Sequence, residues 1–142
     1  MTSPEGYEAL RETVAFGASD HVAVLRVLGP GVLDALDVLV SGALFVREGR
    51  MLHTFVLGDD GAPLADAYVA VDAEGAFLLV EGLDAGGVLA LVATRVAPAV
   101  DARFESLQGS HRVLSAHGPF AWELVSRALT EDILGLSYLS FF

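Results

Sequence analysis

LGDDGAPLADAYVAVD, residues 57–72, opens with Asp59, Asp60 and Gly61, residues that turn a chain rather than extend it. From Ala65 the pattern is that of a strand. Ala67, Val69 and Val71 fall on one face, and Asp66 and Tyr68 on the other, in phase with Asp72. The dipeptide AE and a glycine separate this segment from GAFLLVEG, a spacing suited to a hairpin whose turn Asp72 leads. An acidic residue inside so apolar a strand needs a reason: either Asp66 faces solvent, or it serves a ligand. If it is buried, desolvation favours its neutral form unless a partner compensates.

Outward from this hairpin the chain alternates helix and strand. GRMLHTFVLG before it and HVAVLRVL (His21–Leu28) further upstream read as strands, rich in β-branched and apolar residues. Ser3, Pro4 and Glu5 form the cap, first-turn proline and acidic first turn of a helix that carries Tyr7, Leu10 and Val14 on one face. PGVLDALDVLV is a short helix started by Pro30, and AGGVLALVATRVA is a longer one closed by Pro98. ARFESLQ and HRVLSAH are strand candidates on either side of a Gly-Ser turn. GPFAWELVSRALTED is the clearest helix, with Trp122, Val125 and Leu129 on an expected inward face.

One pattern occurs twice. RVLGPGVLDALDVL and SAHGPFAWELVSRAL both run from strand through Gly-Pro to helix, with Gly29 and Gly118 separated by 89 positions (29 to 118). Glycine at these places supplies dihedrals that other residues avoid, and proline starts a helix where a missing N–H costs nothing. Arg26 and Arg112 are read as occupying equivalent places in the two strands. Neither Gly-Pro turn has the third glycine of a dinucleotide fingerprint or the Gly-Lys-Ser/Thr of a triphosphate loop, so nucleotide binding by those routes is not expected.

Composition narrows the chemistry. The 142 residues are about one domain, expected to span 1–142, and 54% are hydrophobic. There is no cysteine, which removes disulfides, thiolate catalysis and sulfur-ligated metals, and no lysine, which removes Schiff-base chemistry. With 19 acidic residues against 8 arginines, the net charge of -11 repels phosphate backbones, so nucleic acid is not an expected partner. The four histidines form no local metal-ligand pattern, and no metal is expected. No run of about 18 apolar residues suggests a membrane span, and the first residues do not resemble a secretory signal, so a cytoplasmic location is the expectation.

Taken in order, TVAFGASDHVAVLRVLGPGVLDAL, HTFVLGDDGAPLADAYV, GAFLLVEG and RVLSAHGPFAWELVSRAL resemble the N-terminal part of the glycine-cleavage aminomethyltransferases, the tetrahydrofolate-binding T-protein family. The same segments are similar to domains of dimethylglycine- and sarcosine-oxidising enzymes and of iron-sulfur assembly factors. The resemblance covers nearly the whole chain. It implies an α+β (mixed α/β) fold: an incomplete, T-protein-like folate-binding domain with two strand–Gly-Pro–helix units. It also implies tetrahydrofolate as cofactor and methyl or aminomethyl transfer as the reaction, with a small one-carbon donor or acceptor. The alternative is a non-catalytic folate-binding or structural subunit.

The resemblance makes Asp66 the catalytic or folate-orienting carboxylate, placed to position an amine or stabilise an iminium-like cation. Asp66, His53, Tyr68, Arg26 and Arg112 are the candidate cofactor-binding residues, the arginines as neutralisers of a folate tail or as salt-bridge formers. A histidine such as His53, His111 or His117 in a strand-like segment is ordinarily hydrogen-bonded core or edge, and Trp122 either packs or stacks on a pterin. The chain departs from the family pattern in several places. The usual acid pair is Ala65-Asp66, the second turn glycine is Ala62 before Pro63, a common tyrosine is His53, and a common acid is Gly17. The family's second half, with its pterin-gripping segment, has no counterpart here. The apolar ending LGLSYLSFF, with Tyr138, Leu139, Phe141 and Phe142, therefore points to a homodimer or a partner chain supplying that half, unless it folds back on its own core.

Overall fold

A period of two along each strand, and the helices that cover one of the two resulting faces, account for most of the architecture. A computed structural model of the chain describes residues 4–142. The elements in order are α1 (Pro4–Glu12), β1 (Ala15–Ala18), β2 (Val22–Leu28), α2 (Val32–Asp37), β3 (Arg50–Leu57), β4 (Pro63–Asp72), β5 (Gly75–Glu81), α3 (Ala85–Arg95), β6 (Arg103–Ser106), β7 (Leu114–His117) and α4 (Ala121–Ala128), with a 3-10 turn at Glu131–Gly135. This is the mixed α/β composition expected from the sequence. The Ser3 cap lies outside the described residues, and α1 stops at Glu12, so Val14 falls beyond the helix.

The chain divides into two compact units. The larger comprises Asp20–Arg112 with Leu139–Phe142. Its antiparallel sheet has the order β3-β4-β5-β2-β6. Leu25, Val27, Val56, Ala67, Val69, Leu78 and Val80 alternate onto one face and form a core with Val32 and Leu36 of α2 and Ala85 and Val88 of α3. Each large aliphatic side chain fully buried there contributes about 2 kcal/mol of transfer free energy. The opposite face presents His53, Phe55, Asp66 and Tyr68, all exposed. Asp84 caps α3 by accepting from the Gly87 N–H at 2.7 Å. In its last turn Arg95 donates to the Leu57 carbonyl at 2.6 Å and to Asp59 at 2.8 Å, holding the end of β3. The final residues run beside the start of β3: Met51 N–H donates to the Leu139 carbonyl at 2.8 Å and Phe141 N–H to the Gly49 carbonyl at 3.1 Å. Tyr138 nevertheless stays 84% exposed, so it is not internal packing.

The smaller unit is made from the residues up to Ser19 and from Val113–Tyr138. Its sheet is β1 against β7, joined by backbone pairing and by a 3.0 Å hydrogen bond between the Ser19 and Ser115 hydroxyls. The inward face expected for α4 is not buried: Trp122 is 53% exposed, and no residue of the helix is fully covered. The two strand candidates flanking the Gly-Ser turn enter different sheets, β6 beside β2 and β7 beside β1.

The repeated Gly-Pro turn is real and sits two residues earlier, relative to its helix, than expected. Each helix begins two residues after its proline, because a further turn residue, Gly31 or Phe120, precedes Val32 or Ala121. Gly29 and Gly118 have φ of 113° and 115°. A side chain on either would meet backbone, the Asp101 oxygen at 2.5 Å or the Thr13 oxygen at 2.6 Å. Those same oxygens accept from Gly31 N–H (2.9 Å) and Phe120 N–H (3.1 Å). Register agrees as well: Phe104 faces Val27 as Phe16 faces Ala116, and Arg103 faces Leu28 as Ala15 faces His117. The equivalence of Arg26 and Arg112 does not hold. Register places Arg26 opposite Glu105 as it places Ser115 opposite Gly17, and Arg112 precedes β7.

Two measurements check this account. Gly29→Ala combines a left-handed backbone with a backbone clash, and is expected to lower the unfolding free energy by about 3 kcal/mol in urea titrations. Asp72 is held below the usual carboxylate value of 3.8, first by its hydrogen bond from Arg26, with the Glu74 and Gly75 N–H groups adding to the effect. Its contribution is therefore present above pH 3.8 and lost as pH falls through the lower folded-state value. Asp72→Ala is expected to destabilise by about 2 kcal/mol at neutral pH, with the difference from wild type shrinking in strongly acid titrations.

Candidate functional site

Strand register brings the site together. Asp72 Oδ1 accepts from the Glu74 and Gly75 N–H groups, each at 2.9 Å, closing the β4–β5 turn. From that turn the register runs back to place Asp66 opposite Glu81 and Tyr68 opposite Leu79. On the other side of β4, Phe55 lies opposite Asp66 and His53 opposite Tyr68. Three strands thus contribute to one open face.

His53 and Asp66 are diagonal neighbours and touch, with Nε2 2.9 Å from Oδ1. With Nε2 protonated the imidazole donates and the carboxylate accepts. The ring is stacked on Tyr68, centroids 4.7 Å apart at 23°, and is 5.7 Å from the tilted ring of Phe55. The result is a carboxylate oriented through one oxygen, beside an aromatic surface of three rings. Asp66 is 51% exposed, so it faces solvent rather than the core. It sits within β4 rather than in the preceding turn, which is built by Gly58 N–H donating to the Ala62 carbonyl at 2.7 Å and Ala62 N–H donating to Asp60 at 3.0 Å.

Two of the candidate residues stand apart. Arg26 is buried, with Nη2 donating to Asp72 Oδ1 at 2.9 Å and Nη1 2.8 Å from Oδ2 in an ion-pair contact outside hydrogen-bond geometry. Its guanidinium carbon lies 4.4 Å from the Phe77 ring centroid, a cation–π contact that commits it further to structure. Arg112 pairs with Asp20 at 2.9 Å, both half or more exposed. The structure thus gives both arginines the salt-bridge role. His111 is hydrogen-bonded to Ser110 at 3.0 Å in the loop before β7.

Sequence reasoning missed Glu81 and His21. They pair at 3.1 Å, and Glu81 lies directly across the strand from Asp66. The signal was present: once Asp72 and Gly75 are paired at the turn, the hairpin's period of two carries Glu81 to Asp66. Among the described residues no group of three or more histidine and carboxylate side chains is placed to hold a metal ion. No described helix is long and apolar enough to cross a membrane.

The fold has a close counterpart. Superposition on the crystal structure of glycine cleavage system aminomethyltransferase T from Bartonella henselae gives a TM-score of 0.83 over 99% of this chain, at 18% sequence identity. An aminomethyltransferase of Parasynechococcus marenigrum is 39% identical over 80 residues, 52% of this chain. The chain is thus similar to part of each of two aminomethyltransferases. It covers 39% of the Bartonella chain, and the aligned segment 22% of the Parasynechococcus protein. No protein-family model matches it. The aminomethyltransferase-like architecture expected from the ordered segments is therefore the one adopted.

A double-mutant cycle on His53→Ala and Asp66→Ala, followed by urea unfolding, is expected to give a coupling of about 0.5 kcal/mol, the size of an exposed pair. Zero coupling would mean that the two side chains do not hold each other in solution.

Proposed function

We propose that the chain binds tetrahydrofolate on the open face of its larger sheet and takes part in one-carbon transfer, methyl or aminomethyl, as an aminomethyltransferase-type unit. The observation that carries this reading is the geometry at Asp66 within that fold. His53 occupies Oδ1, leaving Oδ2 available to a folate amine. The stacked His53–Tyr68 pair offers a flat aromatic surface beside it, suited to a planar pterin. In the reaction Asp66 would orient the nitrogen that carries the one-carbon unit and stabilise positive charge as it develops there. Arg26 and Arg112, both ion-paired, are left out of this binding set.

The exposure of Asp66 favours a second reading, a folate-binding or structural subunit without its own turnover, because transfer through a reactive cation needs water excluded. The two readings share the binding site and differ in catalysis.

Anaerobic calorimetry with tetrahydrofolate tests the binding. Saturable binding is expected for the wild type, weakened about tenfold by Asp66→Ala, the worth of one charge-assisted hydrogen bond. A folded wild-type protein that takes up no tetrahydrofolate would overturn the proposal. If binding is present, single-turnover assays with methylamine and aminomethyl donors separate enzyme from binding subunit.

A further inference from the structure

The two Gly-Pro units are copies of one arrangement, but only one has a complete core. In the larger unit β2 has β6 on one edge and β5 on the other, and Leu25, Ala35 and Leu36 are fully buried, with Val40 nearly so. The positions that match these in the smaller unit, counting from the two turn glycines, are Leu114, Leu124, Val125 and Leu129. Here Leu114 is 57% exposed and Leu129 71%. With Phe16, Ala116 and Ala128 they line an open, almost wholly apolar groove of about 300 Å³. Among the described residues β7 pairs with β1 alone, so the edge that in β2 receives β5 has no ladder partner.

The larger unit also shows what covers such an edge: an antiparallel strand whose alternate residues, Ala76, Leu78 and Val80, turn towards the helix. We infer that in the smaller unit this place is taken by β7 of a second copy of the chain, forming a dimer with a continuous sheet ordered β1-β7-β7-β1. A twofold axis through the edge makes the two β7 strands antiparallel, the orientation of β5 on β2. The same operation brings Leu114 and Ala116 of each copy towards the groove of the other, on the sheet face that α4 covers. The available apolar surface is adequate in size. Phe16, Phe120 and Trp122 are each more than half exposed, as are Leu114 and Leu129. Five such side chains amount to roughly 500 Å², a large part of the ~800 Å² that each partner gives to a standard interface. Chain-end residues Tyr138 and Phe142 have no part in this contact, which rests on β7 and α4.

Sedimentation equilibrium on the intact chain tests the inference. The expected mass is twice the 14.9 kDa of one chain. Leu114→Glu places a charge in the groove and is expected to weaken dimerisation at least about 100-fold, since an unpaired charge is costly to bury. Leu129→Glu, at the exposed end of α4, does the same with less risk to folding, and far-UV circular dichroism checks that each variant is folded. Phe45→Glu, an apolar residue of the larger unit that is 94% exposed, is expected to leave the dimer intact. A monomeric wild type at about 100 μM would overturn the inference. So would a dimer that withstands both groove substitutions, or one broken by Phe45→Glu alone. A monomer that binds the free peptide GAFLLVE, the sequence of β5, would place a foreign strand at the edge and overturn self-association equally.

Discussion

Asp72 accepts three hydrogen bonds through one oxygen, from Arg26 and from the Glu74 and Gly75 N–H groups. Much of the larger unit follows from that. The turn fixes the pairing of β4 with β5, and Arg26 ties this hairpin to the neighbouring β2. A shift of one residue would exchange the two faces, sending Ala67 and Val69 outward and Asp66 and Tyr68 into the core. The charge of Arg26 is matched at short range by Asp72 and covered by Phe77, which makes its burial tolerable. Site and core are thus two consequences of one register.

What could be read from the sequence depended on whether the signal was local. The hairpin, its leading aspartate and the outward phase of Asp66 follow from residues within a short span, as does the repeated Gly-Pro turn. Contacts across strands were harder. The pairing of His53 with Asp66 depends on the β3–β4 register, and that register shifts between Val56 and Leu57, where no simple hairpin rule applies. For Arg26 the sequence favours an edge or salt-bridge role over a ligand, but an arginine in an apolar strand has no visible partner until the turn at Asp72 is folded beside it. For α4 the apolar stripe was correctly seen, but a stripe says only that a face is suited to burial. It does not say what provides the burial.

The two related units show how one local plan can have different energetic outcomes. Both use a glycine at positive φ to bring a helix start against a neighbouring carbonyl, and both set an antiparallel strand beside the turn. In one, three further strands extend the sheet and close a core. In the other, comparable side chains meet solvent. The same leucine that stabilises one copy by transfer out of water is, in its counterpart, apolar surface free to associate. The difference lies in neighbours rather than in the residues themselves.

The smaller unit is also discontinuous in the chain. Its strands meet across as many as 102 positions (15 to 117), with the larger unit's residues in between. Joining such distant segments from an open chain carries a substantial loop-closure entropy. Once β2 to β6 have assembled, most of that freedom is already spent, and the remaining search is short. The chain's own path thus sets an expected order: the larger unit, with its nearer contacts, forms first, and β1 and β7 pair last and separate first.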